Sequence, residues 1–113
     1  MKSIAALSVG LILTACTTLN ETVDSVPSDT IESDRSVSYL VDCINSAWVL
    51  QATVQSTAIQ GGQRLYTKDS GRIGPAHVVE IVQNGKRSIV RYWENTQQDA
   101  HEFRDPVLRC TKG

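Results

Sequence analysis

Most signatures of a specific chemistry are missing from this 113-residue chain. Its two histidines, His77 and His101, have no third ligand at a metal-binding spacing, so a zinc-type site is not expected. There is no Gly-x-x-x-x-Gly-Lys, hence no phosphate loop, and no Gly-x-Ser-x-Gly, hence no nucleophile elbow. The three cysteines contain no Cys-x-x-Cys, the usual dithiol redox arrangement. Glu94, Asp99 and Glu102 lie near His101 in sequence, but the group reads as a solvated turn, and no carboxylate pair is singled out. The expectation is a protein that is not an enzyme and needs no cofactor. A net charge of −1 gives no footprint for nucleic acid. Long hydrophobic runs are also lacking. The apolar run at 4–13, interrupted only by Ser8 and Gly10, would rise about 15 Å as a helix, half of a ~30 Å hydrocarbon core.

That short run has the parts of an export signal. Lys2 supplies a positive start, the apolar run follows, and Thr14-Ala15 are the small residues expected before a cleavage site. The motif Leu13-Thr14-Ala15-Cys16 resembles the lipobox of bacterial lipoproteins. The resemblance implies removal of residues 1–15, thioether lipidation of Cys16 and acylation of the new terminus. It makes the membrane, reached through covalent lipid, the first expected partner. Two or more acyl chains anchor stably, because each buried CH₂ contributes about 0.8 kcal/mol. Thr17 rather than Asp follows Cys16. By the sorting rule of many such lipoproteins this favours the periplasmic face of the outer membrane over the inner membrane.

Assigning Cys16 to lipid leaves Cys43 and Cys110. Two thiols in an oxidising periplasm normally pair, the alternative being two separate free thiols. A disulfide suits a chain this small, which buries only about 60% of its unfolded surface. Residues 16–36 read as a lipidated, flexible, acidic tether: from residue 17 on, five acids oppose Arg35, a net −4, with Pro27 and no sustained apolar period.

Residues 37–113 read as one small α+β domain, a sheet of about four antiparallel strands packed against an N-terminal helix and a short C-terminal helix. Val37, Leu40, Val41, Ile44, Ala47 and Trp48 recur at helical spacing, with Ser33, Asp34 or Ser36 able to cap the start. Cys43 lies at the margin of that stripe. Thr53, Val54, Thr57 and Ile59 change the period to that of a strand, Gly61-Gly62 breaks it, and residues 64–67 read as a second strand of a hairpin. Residues 68–76 read as a loop, a solvated connector in the first instance, in which Lys68, Arg72 and backbone N–H groups could alternatively hold an anion. Strands at 78–83 and 86–93 flank Asn84-Gly85, the preferred pair for a type I′ turn. Near the end, Asp105-Pro106 reads as the N-cap and first residue of the last helix, with Pro106 breaking or kinking any longer one.

The Asn84-Gly85 turn divides the hairpin into two faces. Val79, Ile81, Ser88, Val90 and Tyr92 form the purer apolar face, expected on the core. The other carries Val78, Val82, Arg87, Ile89, Arg91 and Trp93, with Glu80 placed diagonal to both arginines. This second face is either a partner surface for another envelope protein or is covered by the tether or a loop.

The order of lipobox, polar tether, helix with Cys43 and Trp48, strands, Arg91-Tyr92 and terminal helix with Cys110 resembles small envelope lipoproteins of proteobacteria. That resemblance implies a non-enzymatic interaction or structural module. Membrane-bound lysozyme inhibitors are also similar: they are short lipoproteins with an early and a late cysteine, and Lys68-Asp69-Ser70-Gly71 resembles their Ser-Gly loop. This second resemblance implies an inhibitor or immunity protein against a periplasmic enzyme such as a lysozyme or secreted toxin. The chain departs from it at Arg72-Ile73-Gly74, where an aromatic is expected, and in its strong first helix, which an all-β barrel lacks. The assembly lipoproteins with two helices and three strands are similar in size, without matching motifs.

Overall fold

A computed structural model of the chain describes residues 25–68, 75–94 and 101–112. The lipobox, the anion-loop candidates Asp69 to Gly74 and the 95–100 connection lie outside the described residues. Five strands, β1 (Asp29–Ser33), β2 (Thr53–Ile59), β3 (Gly62–Lys68), β4 (Pro75–Asn84) and β5 (Arg87–Glu94), form one sheet. All neighbours are antiparallel, in the order β1-β5-β4-β3-β2. Helices α1 (Val37–Trp48) and α2 (His101–Thr111) pack on one face. The class is α+β, with five strands rather than about four.

The extra strand is β1, and it corrects the expected tether. Residues 29–33 lie against β5, so the folded region begins well before residue 37. The local pattern alternates with period 2: Ile31 and Ser33 turn toward the core, while Thr30 and Glu32 are exposed. The three of those acids that lie among the described residues have partners instead. Glu32 and Asp34 both meet Arg87, at 3.0 and 2.9 Å, and Asp29 takes two hydrogen bonds from Arg104. Ser33 is buried, donating from Oγ to the Thr111 carbonyl at 2.8 Å and accepting from the Arg35 N–H.

Helix α1 forms as its spacing requires. Ser36 caps it, its Oγ accepting from the Tyr39 N–H, and Leu40, Ile44 and Trp48 are fully buried. Cys43 on its flank is bonded to Cys110 of α2, with Cα atoms 5.9 Å apart. Closing a loop across 67 positions is worth about 4 kcal/mol on chain-entropy grounds.

Pro106 does not start or break the last helix; it lies inside α2. The missing N–H of Pro106 orphans the Glu102 carbonyl, four residues earlier. Gln51, from the turn after α1, donates its side-chain amide to that carbonyl at 3.1 Å. The next carbonyl, of Phe103, also receives the Trp48 indole N–H at 2.9 Å. Distant donors therefore satisfy the turn that proline weakens.

The β4–β5 turn also differs from expectation. Asn84 pairs with Arg87, so the two-residue loop is Gly85-Lys86, not Asn84-Gly85. Gly85 has φ +65°, and no non-glycine residue among those described has positive φ. Type I′ would need it at both loop positions; a glycine at the first is what type II′ demands. The shift moves cross-strand partners by two and leaves each residue's face unchanged. Val79, Ile81, Ser88, Val90 and Tyr92 are accordingly all buried on the helix side. In the β2–β3 hairpin the loop is Gln60-Gly61, and Gly62 is needed for contact: a Cβ there would run into the Ile81 backbone carbonyl.

Candidate interaction surface

The sheet face away from the helices is built in rows by the register. One row runs Trp93, Val78, Tyr66, Gln55. The next runs Thr30, Arg91, Glu80, Arg64, Thr57. A third runs Glu32, Ile89, Val82, Gly62, Ile59. The six residues expected to form a partner surface do share this face, but not all are available. Val78 is 0% exposed and Trp93 3%, so both drop out. Trp93 donates its indole N–H to the Ser25 carbonyl at 3.0 Å, which places part of the expected tether over this end of the face. Val82, Ile89 and Arg91 are half-buried and Arg87 is exposed.

The charges on the face pair differently from the diagonal arrangement expected. Glu80 binds Arg64 of β3 at 2.7 Å, because register sets them directly opposite. Arg87 turns to Glu32 and Asp34 on the β1 side. Arg91 is left without an ion pair among the described residues. It is a half-buried cation opposite Thr30 and an already engaged Glu80, next to the half-buried apolar pair Ile89 and Val82. Such a strip suits a carboxylate set in apolar surroundings on a partner.

The opposite face holds a buried polar group that was not identified from sequence. His77 alternates inward with Val79 and Ile81, and its ring stacks on Phe103 at 4.0 Å between centroids. Trp48 meets His77, Tyr92 and Phe103 edge-on. His77 Nδ1 lies 2.9 Å from the Tyr92 hydroxyl. Burial, first, and then the charge and hydrogen bond of Glu94 push the Tyr92 pKa far above its ordinary value of 10.0; Asp29 adds to this and Arg104 opposes it. The hydroxyl is thus held neutral. With His77 only 4% exposed, the network is suited to fixing the core rather than to meeting a substrate. The signal available in sequence was parity: His77 lies on the same face as Val79.

His101 and Glu102 are exposed at the start of α2, and Glu94, the last residue of β5, is half-buried. An open recess of about 280 Å³ separates the end of α1 from α2, lined by Leu50, Gln51, His101, Glu102 and Arg109 among others. Among the described residues no group of His, Cys, Asp or Glu could hold a metal ion, and no helix is long and apolar enough to cross a membrane. No protein family, no curated protein and no solved structure matches this chain.

Proposed function

We propose that this chain is a lipid-anchored envelope lipoprotein whose domain is a non-enzymatic interaction or structural module facing the periplasm, on the outer rather than the inner membrane. The Leu13-Thr14-Ala15-Cys16 motif behind a ten-residue apolar run carries this reading. The Cys43–Cys110 disulfide supports it, since such bonds persist in oxidising compartments and are rare in reducing ones. Arg91, with Val82 and Ile89 beside it and Arg87 at the edge, is the surface offered to an envelope protein partner. The two helices on one sheet face fit this module better than an all-β inhibitor barrel.

Metabolic labelling with a fatty acid tests the anchor: label is expected on the chain and lost in Cys16→Ala, and equal labelling of the two would overturn the reading. Crosslinking in intact envelopes tests the surface. Arg91→Glu is expected to abolish the crosslinked species while leaving the domain folded. Capture of a lysozyme or toxin would replace the structural reading by the inhibitor one.

A further inference from the structure

The chain carries no charged residue from Cys43 to Gln63, a run of 21 positions (63 − 43 + 1) that also lacks histidine. In the fold this run holds strand β2, which ends the sheet opposite β1. Among the described residues β2 pairs only with β3, and its seven residues, Thr-Val-Gln-Ser-Thr-Ala-Ile, include neither Lys nor Pro. The irregularity in the neighbouring ladder lies between Tyr66 and Lys68, on the β3–β4 side, so no bulge bends the free edge of β2 away. Thr53, Ser56, Thr57 and Ala58 are exposed, and just before the strand Leu50 is 84% and Val49 50% exposed. An edge with unpaired N–H and C=O groups is ordinarily protected by charge, proline, a bulge or a covering element. The described residues supply none of these at β2.

We infer that β2 is the edge through which two copies of this chain pair antiparallel, joining two five-stranded sheets into one of ten. Self-complementarity points to a second copy as the occupant. A two-fold axis through Ser56 sets Val54 opposite Ala58 on the helix side, and Thr53 opposite Ile59 and Gln55 opposite Thr57 on the other. Every facing pair is then neutral, and no like charges meet. The exposed Val49 and Leu50 at the start of the strand extend the apolar contact beyond the ladder. Seven residues of ladder make a small interface, so the dimer is concentration-dependent. This pairing does not depend on lipid attachment.

The test uses the full chain in mild detergent under gentle oxidation. On the axis, two copies of residue 56 sit at a cross-strand Cα separation of roughly 4.5–5.5 Å, within disulfide range. Residue 60 of one copy lies eight positions from its counterpart, roughly 27 Å away. Ser56→Cys is therefore expected to give several-fold more covalent dimer than Gln60→Cys or the unaltered chain, which controls for Cys16. Equal crosslinking at 56 and 60 would overturn the proposal. Independently, sedimentation from micromolar to millimolar concentration should show the unaltered chain passing from monomer to dimer. Ser56→Lys, with unchanged circular dichroism, should stay monomeric, since it sets two lysines face to face. A monomeric unaltered chain throughout, or an equally dimeric Ser56→Lys, would also overturn it.

Discussion

The two edges of the sheet are made by opposite means. β1 is five residues long, carries Asp29 and Glu32, and is fastened at both ends: Asp29 to Arg104, Glu32 to Arg87, Ser33 to the Thr111 carbonyl. Its charges are consumed by neighbours on β5 and α2. β2 is seven residues long, carries no charge, and among the described residues pairs only with β3. Short and charged edges resist pairing with other chains; long neutral ones invite it. The difference shows that edge protection in this molecule is a property of side-chain chemistry, since both strands have the same position in the ladder.

Several substitutions would break or sharpen that contrast. The largest effect is expected where both edges depend on the same support, the disulfide that holds α1 to α2. Replacing Cys43 and Cys110 together by Ala should cost about 2–5 kcal/mol, read as a lower denaturant midpoint, with β1 and β2 loosening together. The edges separate at their serines. Ser33→Ala removes a buried hydroxyl that serves both Thr111 and Arg35, and should cost about 1–3 kcal/mol. Ser56→Ala, at an exposed position of β2, should stay within about 0.5 kcal/mol. Equal losses in thermal melts would mean that the edges are not distinguished by their anchoring.

A smaller effect comes from pH at the β1 end. The folded chain keeps the Tyr92 proton to higher pH than the unfolded chain, whose phenol titrates near 10.0. Above that pH the unfolded state binds fewer protons, so stability falls as pH rises; the full contribution is present below it. Tyr92→Phe should flatten the stability profile above pH 10.0, and an unchanged slope would remove Tyr92 from the account. The smallest effect is expected at Arg87, whose exposed pairs with Glu32 and Asp34 should be worth about 0.2–1 kcal/mol together. Arg87→Ala should therefore lower stability slightly at low salt and hardly at all at high salt.

Particular residues explain what could be read ahead. The faces of β4 and β5 were legible because side chains alternate strictly, so even a register moved by two left Val79, Ile81, Val90 and Tyr92 inside. The candidate partner residues were legible as a shared face, but not as an exposed one. Val78 and Trp93 are both closed off, and for Trp93 this involves chain far away in sequence, at Ser25. Strand β1 was illegible because a short acidic stretch with Ser and Thr has the composition of a linker. Its acids become strand residues only when Arg87 and Arg104 are brought beside them. Pro106 misled for a similar reason: a local rule ends the helix, and a glutamine 55 residues earlier (106 − 51) relieves the cost.

The sequence by itself determined the α+β class, the span of α1, the core faces of the hairpin and the pairing of Cys43 with Cys110. These follow from periodicity and from counting thiols, which are properties of local order along the chain. Only the tertiary structure decided that β1 joins the sheet, that α2 runs through Pro106, that Arg91 has no ion pair among the described residues and that neutral β2 is an edge. Each of these depends on which distant groups arrive as partners, because a buried carbonyl, a carboxylate or a strand edge is stable or exposed according to what lies opposite it.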